Sequence, residues 1–586
     1  MLSHSIRHAL RIEISILSLA ALSACSGPTA PNDASSDGSP RDGTVDAIVD
    51  RDATADAIGD VPSDVTVTPT VSSWLGTNLS GDVPFADISR LMAGFDTSPA
   101  QLDTNGYPVA GASGTSNTDL GFRLSTGDYN ISYTGDGTVT VSGIGMLMGA
   151  WQTAGSEHRN VVHITSTPGQ FGRFLTVQVA NTSGAPVQNL RILFPGNDYG
   201  TTANFTAPFL RLIRPFRALR AMDWQATNNS TLADWADRPR AAHFGASPHG
   251  VPYEYLPAIA NETGSDLWVT IPEHATQDFV QQFARFLRDN LDASRIEAAR
   301  RARGFTTPFR LYFEVANETW NGGFTAYNTL LAAARMDPTR YDGHYDSTYG
   351  PSWMSGNADL MRVGQIEADL LARWGDVFRT EFGARADILA PVLSGWALGP
   401  VYSDVGLRFI QSHYGGDASR YVSFVAIAPY FAPDESQTGS LDALFAGCDT
   451  AISSMDSTFM DFARLATERS VHIAAYEGGQ SLTGTTNQTV KHLAQHDRRM
   501  YDTYQHYFTE WLTRFDGALF MHFTLADSGT PPENIYQYGY WGSIRSITED
   551  IGMCGRNLPT LTGSESIDSV LAHCPKYQAL AERVPR

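Results

Sequence analysis

The chain has 586 residues, of which 42% are hydrophobic and 18% charged, and this composition is typical of globular proteins. Its formal net charge of -21 excludes the basic surface that nucleic-acid binding requires, so we expect no nucleic-acid partner. The same charge would be repelled by anionic lipid surfaces, so any attachment to a membrane needs a covalent or inserted anchor.

The N-terminus has the pattern of an export signal. Arg7 and Arg11 precede an apolar stretch at 12–22, which runs into the tetrapeptide Leu22-Ser23-Ala24-Cys25. A charged start, an apolar run too short to cross a bilayer and small residues before a cleavage site predict a signal peptide over residues 1–24. The tetrapeptide resembles the bacterial lipobox, which implies that Cys25 becomes lipidated. An ordinary secretory signal with a chance cysteine is the alternative.

Residues 25–70 form a low-complexity segment rich in Ser, Asp, Ala and Pro, and no aromatic residue occurs before Trp74. Such a segment cannot bury enough apolar surface to fold, so it predicts a disordered tether. Its recurrent Asp residues lack the pattern of an EF-hand loop, which favours a plain spacer over a calcium site. Ser26 follows the lipobox cysteine and, by the same resemblance, fits an exported protein anchored to the outer membrane, on its cell-surface or periplasmic face.

Four cysteines set the possible disulfides: Cys25, Cys448, Cys554 and Cys574. If Cys25 is acylated, the other three allow one pair and one free thiol in an oxidising compartment. Cys554 with Cys574 is the favoured pair, because the two would close a short loop. No Cys/His cluster has the spacing of a metal site, so we expect neither a metal nor a cofactor.

Residues 118–195 carry short segments in which apolar and polar residues alternate, separated by turns rich in Gly, Pro and Ser. Evenly spaced short strands of this kind predict an all-β, sandwich-like module. The clearest segments are 127–133, 138–142, 160–165, 174–179 and 190–194.

From about residue 204 onward, apolar strand patterns alternate with helical patterns. With a first strand at 74–80, eight strands predict an α/β fold, a (β/α)8 barrel over residues 71–586 with the β module inserted between barrel strands 1 and 2. A doubly wound sheet is the alternative, but residues 76–81 lack a phosphate-binding glycine pattern. The other strand candidates are 216–224, 266–272, 309–318, 387–393, 422–429, 471–477 and 517–523.

Two Glu residues stand at the ends of predicted barrel strands 4 and 7, where barrel enzymes carry their catalytic side chains. These strands lie on roughly opposite sides of the barrel axis, so Glu318 and Glu477 can converge across its mouth. Glycoside hydrolysis needs such a pair, because one carboxylate must stay ionised while the other keeps its proton. Glu314 has the same strand parity as Glu318 and is interpreted as an interior, hydrogen-bonded carboxylate.

The segment Phe313-Glu314-Val315-Ala316-Asn317-Glu318 resembles the strand-4 motif of clan A glycoside hydrolases, especially family five. The resemblance covers residues from about 74 to 545. It implies a retaining mechanism in which Glu477 is the nucleophile and Glu318 the acid/base. Other positions that match the clan are implied substrate contacts or their supports: Asn317 at the sugar 2-hydroxyl, Arg220 near the end of strand 2 and Tyr430 on strand 6.

The chain also resembles uncharacterised bacterial lipoproteins labelled cellulose-binding, with which it shares the segments Met-Asp-Trp-Gln and Asn-Glu-x-Trp-Asn. Aromatic rings stack on sugars but also fill cores, so rings near strand ends are candidate contacts. These candidates, with two imidazoles, are Trp224, His274, Trp320, Trp396, His522 and Trp541. Clan members often carry Trp at the end of strand 8, where this chain has His522 and Phe523, and this departure leaves the sugar open.

The sequence therefore predicts a monomeric retaining glycoside hydrolase that acts on a β-linked polysaccharide or oligosaccharide. A cell-surface carbohydrate-binding lipoprotein without turnover is the alternative from a different class. It has no need of two convergent Glu residues. A transglycosylase on the same barrel is a third possibility, which the sequence does not separate from a hydrolase.

Overall fold

The computed structural model describes residues 72–80, 82–121, 123–166, 172–346, 348–527, 540–548 and 558–582. The signal peptide at 1–24, the tether and Cys25 lie outside these ranges and stay predictions. Among the described residues, no helix is both long enough and apolar enough to span a bilayer.

Eight parallel strands close into a barrel, and their order around it follows their order along the chain. The barrel strands are β1 (Leu75–Asn78), β10 (Ala218–Arg220), β11 (Asp266–Ile271), β12 (Leu311–Val315), β13 (Leu389–Ser394), β14 (Phe424–Ile427), β15 (His472–Ala475) and β16 (Phe520–His522). β1 pairs with both β10 and β16, which closes the ring. The predicted (β/α)8 barrel is confirmed.

Eight more strands lie between β1 and β10 along the chain and form two antiparallel sheets. They are β2 (Ser113–Asp119), β3 (Gly127–Thr134), β4 (Thr138–Gly143), β5 (Gly145–Leu147), β6 (Gln152–Ala154), β7 (Glu157–Ile164), β8 (Phe174–Ala180) and β9 (Gln188–Leu193). One sheet has the order β2-β8-β4 and the other β5-β7-β3-β9, with β6 paired to β7. Alternate residues of β8 are buried, which is the half-buried pattern that predicted the module.

Helices surround the barrel. In chain order they are α1 (Ala207–Leu212), α2 (Tyr255–Thr263), α3 (Gln277–Asn290), α4 (Ala293–Arg303), α5 (Thr325–Met336), α6 (Ser352–Ser355), α7 (Ala358–Phe382), α8 (Val401–Tyr414), α9 (Leu441–Ser454), α10 (Asp456–Arg469), α11 (Gln488–His496), α12 (Arg498–Arg514), α13 (Ile567–Val570) and α14 (Pro575–Glu582). Short 3-10 turns lie at Ile88–Leu91, Pro99–Gln101, Trp235–Asp237, Gly383–Ile388, Ala418–Arg420 and Glu435–Gln437.

Helix α3 shows how the sequence sets a helix against the barrel. Thr276 caps its N-terminus by accepting a hydrogen bond from the Phe279 amide. Phe279, Phe283 and Leu287 recur every four residues and are buried, so they form one apolar face. Phe283 meets Phe378 of α7 edge-on, with ring centroids 6.3 Å apart, which joins two helices of the outer layer.

The barrel interior is a packed core rather than a channel. Inward side chains such as Trp268, Tyr312 and Met521 form one buried cluster inside the ring. Gly76 of β1 is required there, because a Cβ atom at this position would lie 2.3 Å from Met521 Sδ and 2.8 Å from the Ala218 carbonyl oxygen. The polar groups at the ends of the strands are therefore supported by a tightly packed core.

The cysteines fit the count of one disulfide and one free thiol among the three that follow Cys25. Cys574 is disulfide-bonded, and Cys448 is free and buried in α9. Cys554 lies outside the described residues, so its pairing with Cys574 stays a prediction.

Candidate active site

A fully buried arginine connects the carboxyl ends of three barrel strands and the turn after one of them. Arg220 ends β10, and its Nε donates to Glu314 Oε1 at 2.8 Å. Its Nη1 donates to Asn78 Oδ1 at 3.0 Å and to Glu477 Oε1 at 2.8 Å. Its Nη2 donates to Asn317 Oδ1 at 2.7 Å. The planar guanidinium thereby sets the relative positions of β1, β12 and β15 at the mouth of the barrel.

Arg220 is charged in spite of its burial. Burial by itself lowers the pKa of a guanidinium, but the Glu314 and Glu477 carboxylates outweigh burial and raise the pKa above its ordinary value. Tyr476 adds a ring face 5.1 Å from the Arg220 Cζ atom. The floor of the mouth therefore holds a permanent positive charge that faces Glu477.

Glu477 lies two residues after the end of β15, and both of its oxygens are bonded. Oε1 accepts from Arg220, and Oε2 accepts a hydrogen bond of 2.9 Å from the Tyr430 hydroxyl. Burial raises the pKa of Glu477, while Arg220 and Tyr430 oppose the rise. Two fixed donors therefore favour the ionised form of Glu477 and set the direction of its oxygens.

The turn after β12 has a strained backbone. Ala316 has a φ of 50° and Glu318 a φ of 44°, and both lie in the left-handed region that residues other than glycine rarely adopt. Such strain costs about 1–3 kcal/mol at each residue and persists only where the surroundings enforce it. Here the Ala316 amide bonds the Ile271 carbonyl of β11, and Asn317 between the two strained residues is bonded to Arg220.

Glu318 has weaker partners than Glu477. Its Oε2 accepts from Asn321 Nδ2 at 2.9 Å, and its Oε1 accepts a long bond of 3.4 Å from the Tyr476 hydroxyl. Burial, followed by the nearby charge of Glu477, raises the pKa of Glu318 to about 8. Since no cation of the described chain bonds its oxygens, Glu318 holds its proton at neutral pH.

Asn317 is oriented from both ends of its amide. Its Oδ1 accepts from Arg220, and its Nδ2 donates to Asn228 Oδ1 at 3.0 Å. One amide hydrogen is left for a ligand, since an NH2 group has two.

Glu314 lies within β12 and is completely buried, as its strand parity suggests. Burial raises its pKa to about 7 against the lowering effect of Arg220.

Aromatic rings stand on both sides of the two carboxylates. Trp320 and Trp396 stack with centroids 4.8 Å apart and planes 9° from parallel, and Trp320 Nε1 donates to the Tyr476 hydroxyl at 3.2 Å. On the Glu477 side, the ring of Phe523 lies 6.4 Å from that of Tyr430 and 5.9 Å from that of Trp541. Trp396 and Trp541 are half-buried, so part of each ring faces solvent.

Two of the predicted sugar contacts are core residues in this structure. Trp224 is 1% exposed, and its Nε1 donates to the Ser80 carbonyl. His522 is completely buried, and its Nε2 bonds the Tyr504 hydroxyl at 3.1 Å. Strand β16 and the segment after β10 turn these side chains into the packing, so neither ring is exposed at the mouth. His274 is exposed and has no described contact with the carboxylates.

The sequence interpretation missed four polar residues around the pair. Asn78 ends β1, and reading the end of that strand like the others would have found it. Asn321 and Tyr476 are close neighbours of the two Glu residues along the chain, which was the available signal. Asp223 is half-buried at the mouth; burial and then Glu477 raise its pKa to about 7. It follows Arg220 by three residues.

No family model matches the chain, and no curated relative matches it. Among solved structures, an α-L-arabinofuranosidase from Thermotoga maritima is similar over 64% of this chain and 63% of its own, less than two thirds of its length, with 11% identity and a TM-score of 0.34. The N-terminal endo-1,4-β-D-xylanase of Clostridium thermocellum, complexed with xylohexaose, is similar over 86% of this chain and 97% of its own, with 11% identity and a TM-score of 0.36.

A Penicillium canescens endo-1,4-β-xylanase is similar over 67% of this chain and 91% of its own, with 14% identity and a TM-score of 0.29. At these identities and TM-scores, the resemblance assigns neither an activity nor a substrate to this chain.

Proposed function

We propose that this protein is a retaining glycoside hydrolase that cleaves a β-linked polysaccharide or oligosaccharide. The observation that carries the proposal is the unequal environment of the two carboxylates. Glu477 is bonded to a buried cation and a phenol, whereas Glu318 has a pKa raised to about 8. One group is thus prepared to attack and the other to give a proton.

In the first step, Glu477 attacks the anomeric carbon and forms a glycosyl ester with it. The bond from that carbon to the leaving oxygen breaks, and this oxygen takes the proton of Glu318. Arg220 and Tyr430 hold the attacking carboxylate in one orientation, so little freedom is lost when the bond forms. Asn317, with its amide fixed by Arg220, supports the sugar 2-hydroxyl as the clan resemblance implies.

In the second step, water attacks the anomeric carbon, the bond from that carbon to Glu477 breaks and releases the carboxylate, and Glu318 takes the proton of the water. Once Glu477 is esterified, its negative charge is gone, and that charge is one of the causes of the raised pKa of Glu318. The pKa of Glu318 therefore falls when the intermediate forms. The same residue can donate a proton in the first step and accept one in the second.

Retention requires carboxyl groups about 5–5.5 Å apart, because there is no room for a water between the attacking group and the sugar. The measurement is proton NMR of the freshly released anomer. A β-linked substrate should give the β-anomer first, and the α-anomer as first product would establish inversion instead.

The activity test uses residues 71–586 on a panel of β-linked glycans, with release of reducing sugar as the readout. Glu318→Gln and Glu477→Gln should both lose activity. Glu297→Gln is the matched control, because Glu297 lies on the outer helix α4 with a side chain that is 65% exposed. Binding of glycans without any turnover by the parent would favour the non-catalytic carbohydrate-binding alternative.

We also propose that Cys25 carries a lipid and anchors the protein to the outer membrane of the bacterium. The support is the lipobox-like tetrapeptide that precedes the low-complexity segment 26–70. In cells, the full chain should partition into the detergent phase and the membrane fraction, and Cys25→Ser should move it to the aqueous phase. An unchanged partition of the variant would remove the lipid anchor.

A further inference from the structure

Three tryptophans form a continuous aromatic group beside the mouth of the barrel. Trp320 stacks on Trp396, and Trp396 meets the ring of Trp353 at 79° with centroids 5.5 Å apart. Trp353 stands on the short helix α6, within the long connection from β12 to β13. We call Trp320, Trp396 and Trp353 the aromatic step.

The aromatic step is connected to one of the two carboxylates. Trp320 Nε1 donates to the Tyr476 hydroxyl, and this hydroxyl lies 3.4 Å from Glu318 Oε1. The step therefore begins at the proposed acid/base and leads away from it toward solvent. The Phe523 and Trp541 rings lie instead on the side of Tyr430 and Glu477.

The outer end of the step is exposed on a well-anchored segment. Trp353 is 50% exposed, whereas the next residue, Met354, is completely buried. The turn after β13 packs tightly on the same segment, since a Cβ atom on Gly399 would lie 2.5 Å from the Gly350 carbonyl oxygen. The exposed indole is thus held in place before any ligand arrives, which lowers the entropic cost of binding.

We infer that Trp353, backed by Trp396, forms a subsite for a sugar ring on the leaving-group side of the scissile bond. The inference rests on the proposed function, because the acid/base protonates the leaving oxygen and therefore marks that side of the cleft. The apolar face of a pyranose ring matches an indole face, which offers area without a polar group to desolvate. The substrate is then an oligosaccharide or polysaccharide that continues past the cleaved bond.

A single exposed tryptophan needs no explanation by itself. Here three rings in series lead from the proton donor to the exposed indole, on a segment fixed by Met354. This continuity separates Trp353 from the other exposed apolar side chains, such as Phe174 on the β module and Met460 on α10.

The test compares two kinds of substrate in the same variants. One is a β-linked oligosaccharide series of increasing length, taken from the glycan on which the parent is active. The other is an aryl glycoside of the same sugar, which has no sugar on the leaving-group side. Trp353→Ala should lower kcat/KM about 3- to 10-fold on the longer oligosaccharides, mainly through KM, and leave the aryl glycoside unchanged.

Two further variants complete the design. Trp353→Phe keeps an aromatic face and should restore part of the loss, and Phe174→Ala removes an exposed ring on the inserted module and should have no effect. Equal loss on both substrates, or no loss on the long ones, would overturn the subsite. If the parent cleaves neither kind of substrate, the proposed function itself fails, and this outcome is distinct from a failure of the subsite alone.

Discussion

The two sides of the barrel mouth give their carboxylates different hydrogen-bond partners. On the β15 side, Glu477 is bonded through both oxygens, to a buried guanidinium and to a phenol. On the β12 side, Glu318 has a neutral amide and a long bond from a second phenol, on a strained turn. Glu477 is buried and Glu318 is half-buried, and the difference in their neighbours favours the ionised form of Glu477 and the protonated form of Glu318.

Under the proposed function, this contrast assigns opposite tasks to two chemically identical side chains in one site. A nucleophile benefits from a fixed direction and a stable charge, which Arg220 and Tyr430 provide. A proton carrier benefits from a pKa near the working pH, which the lack of a cation partner and the charge of Glu477 provide for Glu318.

Replacing Glu477 should have the largest effect on activity. We expect Glu477→Gln to lower kcat/KM by about 10⁴-fold or more, since the amide cannot form the glycosyl ester. An activated aryl leaving group should not rescue the variant, because attack and not protonation is missing. Steady-state kinetics on the parent substrate and on an aryl glycoside measure this, and substantial remaining activity would remove Glu477 from the reaction.

Replacing Glu318, the proposed acid/base, should have a smaller effect on activity that depends on the leaving group. Glu318→Gln is expected to lose about 10²- to 10⁴-fold on natural glycans but far less on aryl glycosides with acidic leaving groups. The parent should lose activity as the pH rises through about 8, where Glu318 gives up its proton, and the variant should lack this limb. A variant with the same alkaline limb as the parent would contradict the assignment.

Replacing Arg220 should affect both sides of the mouth, because Arg220 bonds Glu477 on the β15 side and Asn317 on the β12 side. Arg220→Met leaves Glu314 and Glu477 buried without their partner, and breaking a buried ion pair costs about 3–5 kcal/mol of unfolding free energy. Urea unfolding followed by circular dichroism measures the loss. Arg217→Met is a useful control, since Arg217 pairs with the buried Asp266 outside the mouth and its own side chain is 14% exposed. Equal activity losses in both variants would argue against a special role for Arg220.

Replacing Tyr430 tests the hydrogen bond that its hydroxyl donates to Oε2 of Glu477. Tyr430→Phe deletes a hydrogen bond to a charged group, worth about 1.5–3 kcal/mol, which corresponds to about a 10- to 100-fold loss of kcat/KM. The donor favours the ionised form, so its loss should raise the pKa of Glu477 and move the acid limb of the pH profile upward. An acid limb that stays in place would show that Tyr430 does not tune Glu477.

The last prediction concerns the pH dependence of stability and not the rate. In the folded protein the pKa of Glu318 is about 8, above its ordinary value of 4.5, so the folded state binds this proton more tightly than the unfolded state. The stability from this group is present at low pH and is lost as the pH rises from about 4.5 through about 8. Glu318→Gln cannot ionise, so its Tm relative to the parent should rise by a few degrees between pH 5 and pH 8 in calorimetry. A difference in Tm that does not change with pH would show that the pKa of Glu318 is not raised in the folded protein.

Local sequence patterns were sufficient for the barrel and for the positions of Glu318 and Glu477 after strands β12 and β15, whereas the catalytic roles of these residues stay predictions. Strand–helix alternation is a local pattern, and the polar residue after an apolar strand marks the mouth whatever the rest of the fold does. The sequence also indicated an interior position for Glu314, because alternate residues of a strand share a face. In the structure β12 ends at Val315, so Glu318 lies on the turn after the strand. The burial of Trp224 was not predictable in this way, since Trp224 lies after β10 and the residues after a strand leave its strict alternation. His522 lies within β16, and its burial depends on the segments that pack against that strand.

Only the tertiary structure decided how the two carboxylates differ. The partners of Arg220 lie at positions 78, 314, 317 and 477, and no local pattern relates residues so far apart in the chain. The aromatic step is equally nonlocal, because Trp320, Trp353 and Trp396 belong to three separate segments. Chain patterns report which side chains reach the mouth, whereas a pKa depends on distances and burial, and these exist only after the eight strands have closed.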